Sequence, residues 1–254
     1  GYELMRSLGQ VGCVDLSHFF QTPERRTFSY TKPLVIESGR LPRELNRLDF
    51  KNWSPTPGAV QLRMIESLNT LAKRVDAMVL LEQVDEADTG VLAGGVLDVL
   101  GQIRRDNPDL LILADSRRGL GHFPSVGLKM NREEFAVLTG ETAGLPLDDL
   151  CAAIGRLATD RGQPVFVSLS EEGIAGAKPG KAPEHVPCLP LRGEIDIVGA
   201  GDAVMANLAM ALAAGAEVVE AMRFAMAAAS VVVHQLGTTG TANLEEIRPL
   251  VCAH

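Results

Sequence analysis

No two cysteines lie near each other. Cys13, Cys151, Cys188 and Cys252 are scattered, with no Cys-x-x-Cys and no histidine at ligand spacing. A cysteine-based metal knuckle is thereby excluded, and reduced thiols in a cytoplasmic protein are the expectation. No apolar run approaches the roughly 18 uninterrupted residues of a membrane span, so a soluble chain without a membrane partner is expected. Basic residues are outnumbered, 24 Lys and Arg against 32 Asp and Glu for a net charge of −8. They form no stripe, which argues against nucleic acid as a main partner. A small anionic substrate stays compatible, because a pocket can be locally positive on an acidic chain. There is no secretory signal pattern and no initiating Met. "GYELMRSLGQVGCVD" reads as a helix running into a short strand at Val11 to Val14, as expected of a piece that begins partway through a domain.

What the 254 residues do have is a core: 46% are hydrophobic, which suits one large α/β domain. "RTFSYTKPLVIESGRLPRELNRLDF" has β-prone alternation broken at Pro33 and Pro42, and predicts two or three strands of a small flap near residues 27–50. A helix is expected from about Gly58, then a buried strand "DAMVLLE". The alternation continues with helix "TGVLAGGVLDVLGQIRRD", strand "DLLILAD", helix "NREEFAVLTG" closed by Gly140, helix "PLDDLCAAIGRLATDRG" and strand "PVFVSLS". A proline-rich extended stretch follows, and the last third is mostly helix. This rhythm predicts a mostly parallel sheet with helices on both faces, whose ligands bind at the carboxyl ends of the strands.

"DIVGAGDAVMANLAMALAAG" places Gly199, Ala200 and Gly201 ahead of Asp202, where a glycine turn becomes a buried helix. N–H groups at such a turn are expected to be unpaired, and the helix dipole adds partial positive charge, so the turn is a candidate anion hole. The Lys-Ser/Thr ending of a Walker loop is missing, and so is a Gly-x-Gly-x-x-Gly turn. Asp202 could accept the proton of a substrate hydroxyl that attacks a γ-phosphate. The plainer alternative is that it only complements the helix dipole.

"DIVGAGD" resembles the Asp-Thr-x-Gly-Ala-Gly-Asp signature of the PfkB/ribokinase family of carbohydrate kinases. The resemblance extends through "KMNREEFAVLTG", "PVFVSLSEEGIAGA" and "AAASVVVHQLGTTGTA" to essentially the whole chain. Within the family, "NRLDF", "GKAPEHVP" and "VVVHQLGT" look most like heptose 7-phosphate kinase, half of the enzyme of ADP-heptose synthesis. The resemblance implies a ribokinase-like α/β fold with a partial β lid, and a cytoplasmic kinase using ATP and Mg2+, with a monovalent cation compatible. It also implies a phosphosugar substrate, phosphorylated at O1 in the heptose case, and a homodimer through the lid of the full-length protein.

Residue by residue, Asp202 would be the base and Gly199, Ala200 and Gly201 the anion hole. Asn131 and Glu134 match an Asn-x-x-Glu motif that holds magnesium through water, although this spacing is equally a capping box. Ser168, Ser170 and Gly173 would face the nucleotide, or form an ordinary polar turn. Ala228, Val232, Gly237 and Thr238 would line the adenine side, which is expected between residues 168–176 and the Ala228 helix; core packing is the alternative for that helix. Asp115 and Arg117 resemble the sugar-side Asp-Pro-Lys/Arg, with Ser116 in place of proline, and the arginines suit a second phosphate. Lys129 reads as surface or as a phosphate counter-charge. Glu82, Asp85, Glu86 and Asp88 read as a solvated loop, and no role is assigned to His18, His122, His185, His234 or His254.

Departures from the family pattern are Val198 for Thr, Met226 for Asn, and "LEQVDEADTG" for a Ser-Asp-Tyr-x-x-Gly segment. The family's N-terminal sugar-gripping section is absent from the sequence, so a sheet short of one strand is expected. A catalytically silent nucleotide- or sugar-binding relative, or a kinase for another sugar or nucleoside, are the other readings.

Overall fold

The structure is a computed structural model and describes residues 1–40 and 43–252. Helix α1 (Tyr2–Gly9) opens the chain. The strand expected at residues 11–14 does not form. The N–H groups of Val11 and Val14 donate back to the carbonyls of Leu8 and Val11, so this stretch is a turn. Four residues with Gly12 among them and no neighbouring strand have no ladder to join. The flap comprises β1 (Ser29–Thr31), β2 (Leu34–Val35), β3 (Arg43–Glu44) and β4 (Leu48–Phe50). These are four short strands rather than two or three, paired antiparallel as β1–β4 and β2–β3. Pro33 separates β1 from β2; Pro42 and His254 lie outside the described residues.

The core elements follow as α2 (Gly58–Leu71), β5 (Ala77–Glu82), α3 (Gly94–Asp106), β6 (Leu111–Ser116), β7 (Gly127–Asn131), α4 (Arg132–Thr139), α5 (Leu147–Arg161) and β8 (Val165–Ser168). A short 3-10 turn, Ser170–Glu172, leads to β9 (Ile174–Ala177) and β10 (Glu184–Val186), then to α6 (Ala200–Ala213), α7 (Val218–Val233) and α8 (Leu244–Cys252). Helix α3 starts five residues later than Thr89, and the Asp88 carboxylate accepts from its first N–H, that of Gly94, at 2.9 Å. Strand β7 went unread in the sequence because Lys129 interrupts its short apolar run and the helical pattern of α4 begins at once.

The ribokinase-like α/β fold is borne out. Six strands form one sheet in the order β10-β9-β8-β7-β6-β5. Strands β5 to β8 run parallel, β9 against β8, and β10 against β9. Successive strand residues face opposite sides, and both sides are buried. Ile112, Leu128 and Val167 pack with Val96, Phe135 and Ile154 of α3, α4 and α5. Leu113 and Phe166 pack with Val204, Leu208 and Met222 of α6 and α7. Among the described residues no helix is long and apolar enough to cross a membrane.

Candidate active site

The signature turn joins the sheet at the carboxyl ends of β6 and β7. Gly199 caps α6 in the left-handed region, φ 86°. A Cβ there would lie 2.3 Å from the Thr239 carbonyl oxygen, so only glycine fits. Asp196 holds the turn from behind: its carboxylate accepts from Val198 N–H at 3.0 Å and Gly237 N–H at 3.2 Å. Its own N–H donates to Val233 at 2.8 Å. Val198, the residue in place of threonine, contributes only that backbone bond and is exposed.

One expectation about the turn needs correction. The Ala200 N–H is not free but donates to Ile197 at 3.2 Å, because the chain tightens into a 3-10 bend as it enters the helix. The N–H groups of Gly199, Gly201 and Asp202 have no protein acceptor among the described residues. These three, at the positive end of a 14-residue helix, are the donors left for an anion. Asp202 is exposed in the first turn. Together with Gly199, Asn207, Val232 and the Thr239–Ala242 loop it lines a cavity of about 440 Å³.

Lys129 is a second correction. It is only 6% exposed and its ammonium lies 2.8 Å from Asp115. Alternation places Asp115 and Lys129, on neighbouring strands, on the same side of the sheet, toward α6. A Cβ built on Gly201 would come within 3.3 Å of the Lys129 Nζ, so the ammonium lies directly against the turn. A charge this buried requires a partner. Asp115 therefore holds the Lys129 ammonium fixed beside the three free N–H donors, while offsetting part of its charge.

Asn131 ends β7 and caps α4. Its side chain accepts from Glu134 N–H at 2.8 Å, and its N–H donates to the Glu134 carboxylate at 2.8 Å, a complete capping box. The capping alternative is thus real. Yet burial, with Asp115 adding to it, pushes the Glu134 carboxyl above the usual carboxylate range, while Asn131 and Lys129 pull it down. Asn131 follows Lys129 by two residues on β7, which sets the cap at the strand end beside the same site. Among the described residues no group of three or more His, Cys, Asp or Glu is arranged to hold a metal directly.

The remaining candidates divide. Val232 lines the cavity; Ala228, one turn earlier on the same stripe of α7, is fully buried and packs with Ile247 under α8. Gly237 and Thr238 stand behind the lining loop: Gly237 is bonded to Asp196, and Thr238 Oγ accepts from Gly240 N–H at 3.4 Å. Ser168 sits beside Asn131 in register and donates to Met130 at 3.2 Å. Ser170, at φ 52°, and Gly173, at φ 100°, shape the bend into β9, and Gly173 has the Val186 carbonyl 2.1 Å from where a Cβ would be. None of these last three lines the cavity. Met226 is buried under α6.

On the other side of the sheet, the acid loop is not simply solvated. Glu82 is 2% exposed, accepts from Ser116 and Arg118, and has His122 Nε2 at 3.1 Å. Asp85 pairs with Lys51, which holds its carboxyl below the usual range, and Asp88 caps α3. Arg117 lies over the Tyr30 ring of the flap, 5.2 Å from its centroid. Alternation across β5 and β6 could have paired Glu82 with Ser116. Asp196 opens the quoted signature, yet its bracing role and the Thr239–Ala242 wall are set by loop closure, which no local pattern signals.

A glycine turn with free donors, a first-turn acid and a buried lysine, all near the carboxyl ends of a parallel sheet, suits the binding of a phosphoryl group beside a proton acceptor. Residues 126–245 match the family described as pfkB family carbohydrate kinase. The match spans just under half of the chain, from the start of β7 to the start of α8. It is similar to Bifunctional protein HldE of Bradyrhizobium sp. (strain ORS 278), 29% identical over 99% of this chain and 50% of the relative. The HldE of Bradyrhizobium diazoefficiens is 30% identical over 91% and 45%. The chain thus spans about half the length of these curated relatives. The fold is similar to that of Arabidopsis thaliana ribokinase complexed with ribose and ATP, with TM-score 0.62 and 18% identity over 87% of this chain and 69% of that one. It is likewise similar to Escherichia coli phosphofructokinase-2, with TM-score 0.61 and 19% identity over 82% and 66%.

Proposed function

We propose that the chain transfers the γ-phosphoryl group of ATP to a hydroxyl of a phosphorylated sugar, with O1 of D-glycero-β-D-manno-heptose 7-phosphate as the acceptor. The observation that carries the reading is the conjunction at the start of α6: three free N–H donors, the Lys129 ammonium against Gly201, and the exposed Asp202 carboxylate on one cavity. The heptose assignment draws on the similarity to HldE over nearly the whole chain.

In this reading Asp202 takes the proton of the acceptor hydroxyl. The hydroxyl oxygen bonds to the γ-phosphorus as the bond to the β-phosphate oxygen breaks, and ADP leaves with that electron pair. Negative charge gathers on the transferred oxygens, where the N–H groups of Gly199, Gly201 and Asp202 oppose it without reorganising. Lys129 adds positive charge, kept in place by Asp115. Magnesium, when bound, neutralises phosphate charge; Glu134, with one carboxylate oxygen spent on the cap, suits holding its waters rather than the ion. The adenosine side would extend along the cavity wall of Val232 and Thr239–Ala242. Arg117, at the sugar side, would meet the second phosphate.

The test is phosphorus NMR of the protein, as its gene encodes it, with ATP, magnesium and heptose 7-phosphate. The expected result is a new anomeric phosphate signal and stoichiometric ADP. Transfer to ribose or fructose 6-phosphate but not to the heptose would overturn the acceptor assignment, and no transfer to any sugar would overturn the reading.

A further inference from the structure

Glu82 is the last residue of β5, and its register partner is Ser116, the last residue of β6. The side chain is 2% exposed, at a depth where a carboxylate is costly unless fully paired. It is fully paired, and every partner comes from one turn. One oxygen accepts from Ser116 Oγ at 2.5 Å and lies 3.1 Å from His122 Nε2, while the other accepts from Arg118 at 2.9 Å. The Glu82 carbonyl accepts from Arg117 N–H at 3.0 Å, and Ser116 Oγ accepts from Arg118 N–H at 3.1 Å. Ser116 explains its own presence: proline there would carry no hydroxyl for Glu82.

The turn so fixed carries two arginines with different fates. Arg118 is spent on Glu82. Among the described residues Arg117 makes no ion pair within 4 Å, although it helps Lys51 hold the Asp85 carboxyl below its usual range; it lies over Tyr30 with Arg47 on the same ring, at 5.2 and 5.1 Å. Tyr30 in turn donates to the Gln83 carbonyl at 2.8 Å, one residue past Glu82. The flap and the turn are thus both tied to the end of β5. One residue before Ser116 on β6, Asp115 binds the Lys129 ammonium beside the signature turn.

We propose that Glu82 is a positioning residue for the acceptor: its buried carboxylate locks residues 116–122 so that the Arg117 guanidinium is presented, unspent, to the anionic group of the sugar. This rests on the phosphosugar-kinase reading. Glu82 touches no substrate and acts through Arg117.

The test is a double-mutant cycle in the protein as its gene encodes it, with heptose 7-phosphate as the probe. Glu82→Gln keeps shape but removes charge, and should raise the acceptor KM about 10-fold or more while the KM for ATP stays within about twofold, as a lost charge-assisted contact would. In an Arg117→Ala background the same change should do little more. A rise that persists in full without Arg117, or an equal rise in the KM for ATP, would show that Glu82 only supports the fold; this leaves the kinase reading standing. If the wild type transfers no phosphate, that reading falls, and calorimetric binding of heptose 7-phosphate decides the coupling. Binding weakened by Glu82→Gln only when Arg117 is present upholds the positioning role; absence of binding to the wild type overturns it. Should Glu82→Gln fail to fold, Ser116→Ala, which leaves the carboxylate paired with Arg118, takes its place in the cycle with the same criteria.

Discussion

The capping box at the start of α4 lets stability and catalysis be separated at two neighbouring residues. Asn131→Ala removes the side-chain acceptor that meets Glu134 N–H at 2.8 Å. Loss of such a cap costs about 1 kcal/mol, or roughly 2–4 °C in melting temperature for a chain of this size. Glu134→Gln is different. The amide oxygen of Gln can still accept from Asn131 N–H, since either residue closes a capping box. What it removes is a carboxylate that burial pushes above its ordinary value. For an acid with a raised folded-state pKa, the favourable contribution is fully present below the unfolded pKa and is lost as pH rises through the folded pKa. The Gln variant should therefore melt within about 2 °C of wild type or above it near neutral pH, and lose any advantage as pH falls below the usual carboxylate range. If Glu134 also holds magnesium waters, turnover should fall about 10- to 100-fold and the magnesium requirement should rise. Differential scanning calorimetry across pH, paired with a coupled ADP assay over a magnesium titration, reads both. A Glu134→Gln protein that melts as low as Asn131→Ala yet turns over normally would refute the argument and leave a cap alone.

Gly199→Ala puts a left-handed backbone and a Cβ 2.3 Å from the Thr239 oxygen into conflict. It should cost at least about 1–2 kcal/mol, visible as a lower urea midpoint, with the site lost along with the turn. Lys129→Met keeps length but strands the Asp115 carboxylate, and should cost roughly 1–3 kcal/mol. Adding Asp115→Asn should recover part of that stability in thermal melts without recovering phosphotransfer, which separates the ammonium's role at the turn from its role in the core.

Most of the fold was legible because it follows from periodicity. The buried runs of β5, β6 and β8, and the Gly140 stop of α4, are local signals that tertiary contacts reinforced. Strand β7 was not legible, since Lys129 reads as polar until a partner strand supplies Asp115 beside it. The same cross-strand reason hid Glu82 among loop acids: its carboxylate is satisfied by a turn some 34 residues on. The signature turn was found from sequence, with its donor set off by one group because the bend at Ile197 consumes the Ala200 N–H. Of the α7 pair Ala228 and Val232, which share a stripe, only Val232 reaches the cavity, because depth along a packed helix face has no local sign in the sequence. Residue pattern thus reveals what a single element needs, while pairings between distant elements emerge only once the sheet order is known.

Asp202 is where the account is most exposed. Asp202→Asn preserves a polar group at a helix start, where the lost charge is worth about 1 kcal/mol or less, and leaves the backbone donors of the anion turn in place. Single-turnover transfer from ATP to heptose 7-phosphate, measured with calorimetric ATP binding on the same folded preparation, is the deciding experiment. The account predicts near-normal ATP affinity and a transfer rate lower by about 100- to 10,000-fold, the scale of a lost general base. A folded Asp202→Asn protein that transfers phosphate at the wild-type rate would contradict it and reduce Asp202 to a complement of the helix dipole.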